Sequence, residues 1–170
     1  MARYRRFDAI GAAGSTATTP VPELDDVRLR RAGLKAALSA LEIALAAPAQ
    51  QRGAWVGGVR EGLHGLHEVW TRHMVETEAP GAFLDELVAE APRLATPASR
   101  LRREHSEILA TITGAEQRLL APPADEDAYE HWVDEMRTDL TALLVALAQH
   151  RQRGADLVYV AYAVDIGGGF

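Results

Sequence analysis

The chain of 170 residues contains no cysteine, and this absence excludes several kinds of site at once. Disulfides, thiolate metal sites and cysteine nucleophiles all need the missing side chain, so histidines and carboxylates remain as the possible metal ligands. A cysteine-free composition suits a reducing compartment, and the N-terminus lacks the apolar stretch of a signal peptide. We therefore expect a cytoplasmic protein.

Long apolar runs and excess positive charge are also lacking. No apolar stretch reaches the roughly 18 residues that a membrane-spanning helix requires. The net charge is −6 and the isoelectric point is near 5.5, whereas a nucleic-acid-binding protein needs a clustered basic face to contact phosphates. We expect neither a membrane nor a nucleic acid as a partner.

Aromatic residues make up only 6% of the chain, and runs of β-branched residues are nearly absent. Abundant alanine and leucine favour helices over strands. With 48% hydrophobic residues, the chain can fill one core and is too short for two. The sequence therefore predicts one all-α domain at 23–166. It is preceded by a flexible arm at 1–22, which has little apolar area to bury, and followed by a short tail at 167–170.

Apolar residues spaced three and four apart predict four long amphipathic helices. The first begins near residue 22 or 23 and the second spans about 54–79. The third begins near residue 97, and the fourth runs from 125–127 to about 166. Four apolar stripes with short connections predict an antiparallel up-down-up-down four-helix bundle. A short extra helix is expected within 82–96, between the second and third helices.

Three of these helices carry a histidine inside the apolar stripe, at His73, His105 and His150. In an up-down-up-down bundle these positions share one level with the start of the first helix, where the stripe carries Arg31. A single core histidine is usually satisfied by one hydrogen bond. Three at one level each lose hydration, and this loss costs free energy unless something binds their nitrogens. One metal ion can bind all three.

The segments HMVETE in the second helix, REHSEIL in the third and QHRQRGAD in the fourth carry these histidines. Their placement resembles the hemerythrin-like family of HHE-type cation-binding bundles, and the resemblance covers residues 24–166 at the level of helix order and histidine position. It implies a non-heme di-iron centre held by five histidines and two carboxylates. The functions it implies are oxygen carriage, oxygen or iron sensing, or peroxide handling, with dioxygen or another small ligand as partner.

The chain departs from the family's pattern at four ligand positions. Arg31 stands in place of the first-helix histidine, and Leu109 in place of a second histidine on the third helix. Thr77 and Ala155 stand where carboxylates of the second and fourth helices are expected. A full di-iron ligand set is therefore missing, and the number of ions, one or two, is left open.

Three nearby carboxylates remain as candidate ligands. Glu76 lies about 60° off the apolar stripe and can still reach inward. Glu78 reaches inward only if the helix unwinds ahead of Pro80, and Asp156 is turned away on an ideal helix.

Two outcomes follow from this ligand set. The three imidazoles with Glu76 or Glu78 can hold a divalent ion, iron or zinc, with open positions for a small ligand. Alternatively, Arg31 replaces the charge of the metal and pairs with Glu76, Glu78 or Asp156. The second outcome gives a metal-free bundle that acts as an interaction or small-ligand-binding protein.

Overall fold

The computed structural model describes the backbone of residues 24–165 and the side chains of residues 32–161. Its elements, in chain order, are α1 (Leu24–Ala46), α2 (Arg52–Glu78), α3 (Phe83–Glu90), a 3₁₀ turn (Pro92–Leu94), α4 (Ala95–Arg118) and α5 (Glu126–Asp165). The regular structure of this part of the chain is entirely helical, with four long helices, which confirms the all-α prediction. The predicted arm and tail lie outside the described residues.

The helix ends follow the predicted breaks to within a few residues. α1 ends before Pro48, and α2 ends at Glu78, two residues before Pro80. Pro97 lies in the first turn of α4, where a proline is tolerated because the amide it lacks has no partner within the helix. No helix within residues 24–165 combines the length and the apolar character needed to cross a membrane.

The buried interior consists of two apolar clusters. The larger cluster lies between the four long helices and includes Trp55, Leu63, Trp70, Ile112 and Met136. The smaller cluster joins α3, the 3₁₀ turn, the start of α4 and the later part of α5, and includes Leu84, Leu87, Leu94, Leu101 and Leu157. Both α4 and α5 contribute to both clusters. A residue of either helix that lies between its two apolar segments is therefore at the boundary between the clusters.

Contacts between helices also tie the connections to the larger cluster. The guanidinium of Arg137 on α5 donates to the carbonyl of Leu45, in the last turn of α1, at 3.1 Å and to the carbonyl of Ala47, just after that helix, at 3.0 Å. Trp55 on α2 packs edge to face on Trp132 of α5, with 5.9 Å between ring centroids. The end of α1 and the first turns of α2 and α5 are thus held together.

Gly62 on α2 permits a close approach to α1. A Cβ atom added at Gly62 would lie 3.0 Å from the Cα of Leu41 and 3.3 Å from its amide nitrogen. Leu41 is fully buried, and its backbone cannot move without disturbing the core. A Cβ added at Gly65, one turn further along α2, would meet no atom within 4 Å.

We therefore expect opposite effects from two alanine substitutions on the same helix. Gly62→Ala should lower the free energy of unfolding by about 1 kcal/mol, since overpacking outweighs the gain in helix propensity. Gly65→Ala should raise it by up to about 1 kcal/mol, because only the propensity gain applies. Urea denaturation of the two variants measures both changes, and equal stabilisation would contradict the close approach at Gly62.

Candidate metal site

Three histidines from three helices meet between the two apolar clusters. They are His73 on α2, His105 on α4 and His150 on α5, and one nitrogen from each ring lies within 4.8 Å of the others. His105 and His150 are only 1% and 5% exposed, while His73 is half-buried. The structure thus brings together the three stripe histidines of the sequence analysis.

The helical repeat places these rings in a layer that separates the two clusters. On α4, His105 follows Leu101 of the smaller cluster and precedes Ile108 of the larger one. On α5, His150 lies between Leu147 of the larger cluster and Leu157 of the smaller one. Each histidine occupies a position where an apolar side chain would make the core continuous, so the layer replaces apolar packing with polar contacts.

Trp70 covers the histidine layer on the side of the larger cluster. Its ring centroid lies 5.2 Å from that of His73, 5.4 Å from that of His105 and 5.1 Å from that of His150. Its indole N–H donates to the backbone carbonyl of His105 at 3.2 Å. Because Trp70 is 1% exposed, it excludes water from this side of the layer and joins α2 to α4.

A carboxylate lies behind each of the two buried imidazoles. Glu78 is hydrogen-bonded through Oε1 to Nδ1 of His105, and Glu104 Oε2 lies 3.1 Å from Nδ1 of His150. The opposite ring nitrogens, Nε2 of His105 and Nε2 of His150, face each other at 3.0 Å. The four side chains form a linear chain of carboxylate, imidazole, imidazole and carboxylate.

The three contacts of this chain need three protons, or two protons and a cation between the rings. Two ionised carboxylates and two neutral imidazoles supply only two protons, and the carboxylates draw both to the Nδ1 atoms. The two Nε2 atoms, each with a lone pair, then lie 3.0 Å apart with no proton between them. This contact is repulsive unless a third proton or a metal ion lies between the rings.

Burial keeps these imidazoles neutral. It lowers the pKa of His73 to about 4, helped by the charges of His105 and His150, and together with the charge of His150 it lowers the pKa of His105 to about 4. Burial also lowers the pKa of His150, against the opposing effect of Glu104. At neutral pH the imidazoles therefore offer lone pairs to a metal ion and hold a third proton only weakly.

The contact between His105 and His150 and the carboxylates behind the two rings suit a divalent metal ion. Two nitrogens at about 2.1 Å from one ion lie roughly 3.0 to 3.4 Å apart, for angles between a right angle and the tetrahedral angle. The 3.0 Å separation of the two Nε2 atoms falls in this range. Glu78 and Glu104, when ionised behind the rings, supply two negative charges to balance the ion. His73 provides the third nitrogen.

Glu104 connects this site to the outer surface of α4 and α5. Its Oε1 accepts a hydrogen bond from Nε of Arg100 at 3.1 Å, and Nε of Arg153 lies 2.7 Å from the same oxygen as an ion pair without the direction of a hydrogen bond. Burial acts to raise the pKa of Glu104, but Arg153, His150 and Arg100 together hold it below its usual range. Glu104 is therefore ionised where it faces His150.

The structure separates the other candidate residues of the sequence analysis. Glu78, the last residue of α2, reaches His105, but from behind the ring and not beside the three converging nitrogens. Glu76 and Asp156 are exposed. The side chain of Arg31 lies outside the described residues.

Two residues of the site have no role in the sequence analysis. Trp70 lies in the apolar stripe of α2, where nothing in the sequence distinguishes it from the other core residues. Spacing places Glu104 on the edge of the stripe that contains His105, three residues after Leu101 and four before Ile108, and a residue at this edge can face either solvent or the core.

The fold and the site define an all-α protein with a buried cluster of three histidines. Comparison of the chain with family models, with curated proteins and with solved structures found no match. A proposal for the function therefore starts from the histidine cluster.

The metal-free protein should lose stability as the pH falls from about 6.5 towards 4. The imidazoles of His73 and His105 have an ordinary pKa of 6.5 when unfolded and a pKa of about 4 when folded. Between these values the unfolded state binds more protons, so acid favours unfolding, and the stabilising effect is complete only above the unfolded pKa. Urea denaturation with chelator present, repeated across this pH range, measures the slope of the free energy of unfolding against pH.

A matched pair of variants assigns this slope to the buried cluster. His73→Gln removes one of the groups with a lowered pKa and should flatten the dependence of stability on pH. His64→Gln removes an exposed histidine of the same helix and should leave the slope as in the parent protein. Equal slopes in the parent and in His73→Gln would contradict the assignment.

Proposed function

We propose that this protein is a metal-binding helical bundle that holds one divalent transition-metal ion on His73, His105 and His150. The observation that carries the proposal is the 3.0 Å contact between Nε2 of His105 and Nε2 of His150, with each ring hydrogen-bonded from behind to a carboxylate. Metal-ligating histidines commonly donate their second N–H to a carboxylate in this way. Glu78 and Glu104 would thus orient the ligands.

Iron is the proposed ion, and zinc is the alternative. Three neutral imidazoles suit both ions, and the resemblance to the hemerythrin-like family favours non-heme iron. One ion is proposed and not two, because Glu78 and Glu104 already face the outer nitrogens of His105 and His150. A bound iron ion would offer a coordination position to dioxygen or peroxide, so the proposed role is oxygen, peroxide or iron sensing in the cytoplasm.

An up-down-up-down order of the four long helices is part of the proposal. Trp55, near the start of α2, packs on Trp132, near the start of α5, and His73 and His150 meet again further along the same helices. These two contacts support a common direction for α2 and α5. The hydrogen bonds from Arg137 to carbonyls at the end of α1 and just after it support the opposite direction for α1.

A metal-free bundle is the second candidate, and one observation favours it. Burial raises the pKa of Glu78, despite the charges of Arg102 and His150, so Glu78 can hold the third proton and donate it to Nδ1 of His105. The N–H at Nε2 of His105 then donates to His150, and the network is complete without metal. The protein would then serve as an interaction or small-ligand-binding bundle, with Arg31 as the proposed replacement for the charge of the metal.

Metal content and stability distinguish the two candidates. Expression with added iron or zinc should give about one ion per chain, and a free metal concentration of 100 times Kd should add about 2.7 kcal/mol to the free energy of unfolding. A chelator should reverse this gain. Trp70 fluorescence should respond to metal, because its ring lies within 5.4 Å of each imidazole centroid.

His105→Leu separates the candidates further. In the metal-binding protein this variant should lose both the ion and the response to chelator, while His64→Gln keeps both. In a metal-free bundle, leucine would complete the apolar stripe of α4, and the variant should be neutral or more stable. The metal-binding proposal would be overturned if the parent protein held no stoichiometric iron, zinc or manganese and its stability did not change with chelator.

Removal of the charge behind His105 should weaken metal binding without removing a ligand. Glu78→Gln is expected to lower metal affinity by about 10-fold to 100-fold, since the ring loses its charged hydrogen-bond partner. Glu61→Gln removes an exposed charge from the same helix and serves as the matched control. Competition with a chromophoric chelator measures both affinities, and equal affinities would show that Glu78 does not act on the site.

A further inference from the structure

Outside the histidine cluster, α4 and α5 border a groove of about 900 Å³. Three arginines line one end of it: Arg100, Arg103 and Arg153. The other end holds Arg118, which pairs with Asp139. The three histidines are not among the described residues that line the groove. A ligand in the groove would therefore meet the arginines without touching an ion bound to the histidines.

The basic end of the groove carries positive charge that the neighbouring carboxylates balance only in part. Arg100 and Arg153 share one carboxylate, Glu104, whose other oxygen faces His150. Arg103 is exposed and makes no ion pair with any residue of the described part of the chain. Glu107, the other acidic residue at this end, is also exposed. Guanidinium groups bind planar carboxylates and phosphates through two parallel hydrogen bonds.

We propose that this end of the groove binds a small oxyanion, of the phosphate or carboxylate class, at Arg100, Arg103 and Arg153. We further propose that Glu104 couples this anion to the metal ion on the histidines. The anion site depends only on the residues of the groove, whereas the coupling also rests on the proposed metal-binding function.

The sign of the coupling follows from the contacts of Glu104. An anion that binds Arg100 and Arg153 competes with Glu104 for their N–H groups. The negative charge of Glu104 is then shared with fewer donors. Glu104 then accepts more strongly from Nδ1 of His150, and His150 becomes a stronger metal ligand through Nε2. The anion and the metal should therefore each bind more tightly when the other is present, by the same factor.

Calorimetric titration of the full chain with sulfate and with acetate, at constant ionic strength, tests the anion site. Sulfate stands for the phosphate class and does not titrate near neutral pH, and acetate stands for the carboxylate class. The metal-free protein should bind at least one of them with a Kd on the order of 1 mM or tighter. Arg103→Gln should weaken this binding about 10-fold, through the loss of one charge-assisted contact.

Arg118→Gln is the matched control, because it removes the same charge from the other end of the same groove. It should retain the anion affinity of the parent protein. Absence of binding by both anions, or equal losses in Arg118→Gln and Arg103→Gln, would overturn the anion site.

Zinc affinity, measured by chelator competition with and without the bound anion, tests the coupling. The anion should tighten zinc binding by about fivefold or more in the parent protein. At an anion concentration that half-saturates the parent, the effect should be much smaller in Arg103→Gln, whose zinc affinity without anion should equal that of the parent. Unchanged zinc affinity in the parent would overturn the coupling. Failure to bind zinc or iron at all would overturn the proposed function, while the titration of the metal-free protein still decides the anion site.

Discussion

Two imidazole nitrogens that face each other at 3.0 Å, Nε2 of His105 and Nε2 of His150, are the constraint on which the centre of this bundle depends. Each ring is held from behind by a carboxylate, and while both carboxylates are ionised each ring directs its N–H towards its own carboxylate. The contact between the two Nε2 atoms is then favourable only with a cation between the rings or with a third proton, which Glu78 can hold. The contact therefore links the tautomers of two side chains, the charge of two carboxylates and the spacing of α4 and α5.

The all-helical structure and its four long helices were predictable from sequence because the signals are repeated along each helix. Apolar residues at spacings of three and four define four long stripes, and Pro48 and Pro80 mark the ends of two helices. The start of α2 was predicted two residues late. Gln51 precedes this helix without a side-chain hydrogen bond to its first turn, so the sequence carries no capping signal there.

The site was predictable only where it replaces apolar residues. His73 and His105 interrupt stripes that would otherwise be continuous, and that pattern is visible in the sequence. The carboxylates are not marked in this way, because a residue on the edge of a stripe, such as Glu104, can face either solvent or the core. Ideal helix geometry favoured Glu76 over Glu78, but α2 ends at Glu78, and the structure turns that last residue to His105.

The smaller apolar cluster explains why α3 and the long α5 matter to the histidine layer. Without that cluster the layer would lie at the open end of the bundle, where water hydrates imidazoles and stabilises their charged forms. Leu101 of α4 and Leu157 of α5 pack there with Leu84 of α3, on the side of the layer opposite Trp70. Apolar groups on both sides keep the rings neutral and strengthen their contacts with Glu78 and Glu104, because a medium of low dielectric constant screens charges poorly. α3, which a four-helix bundle does not require, thus helps to cover the histidines that α2, α4 and α5 supply.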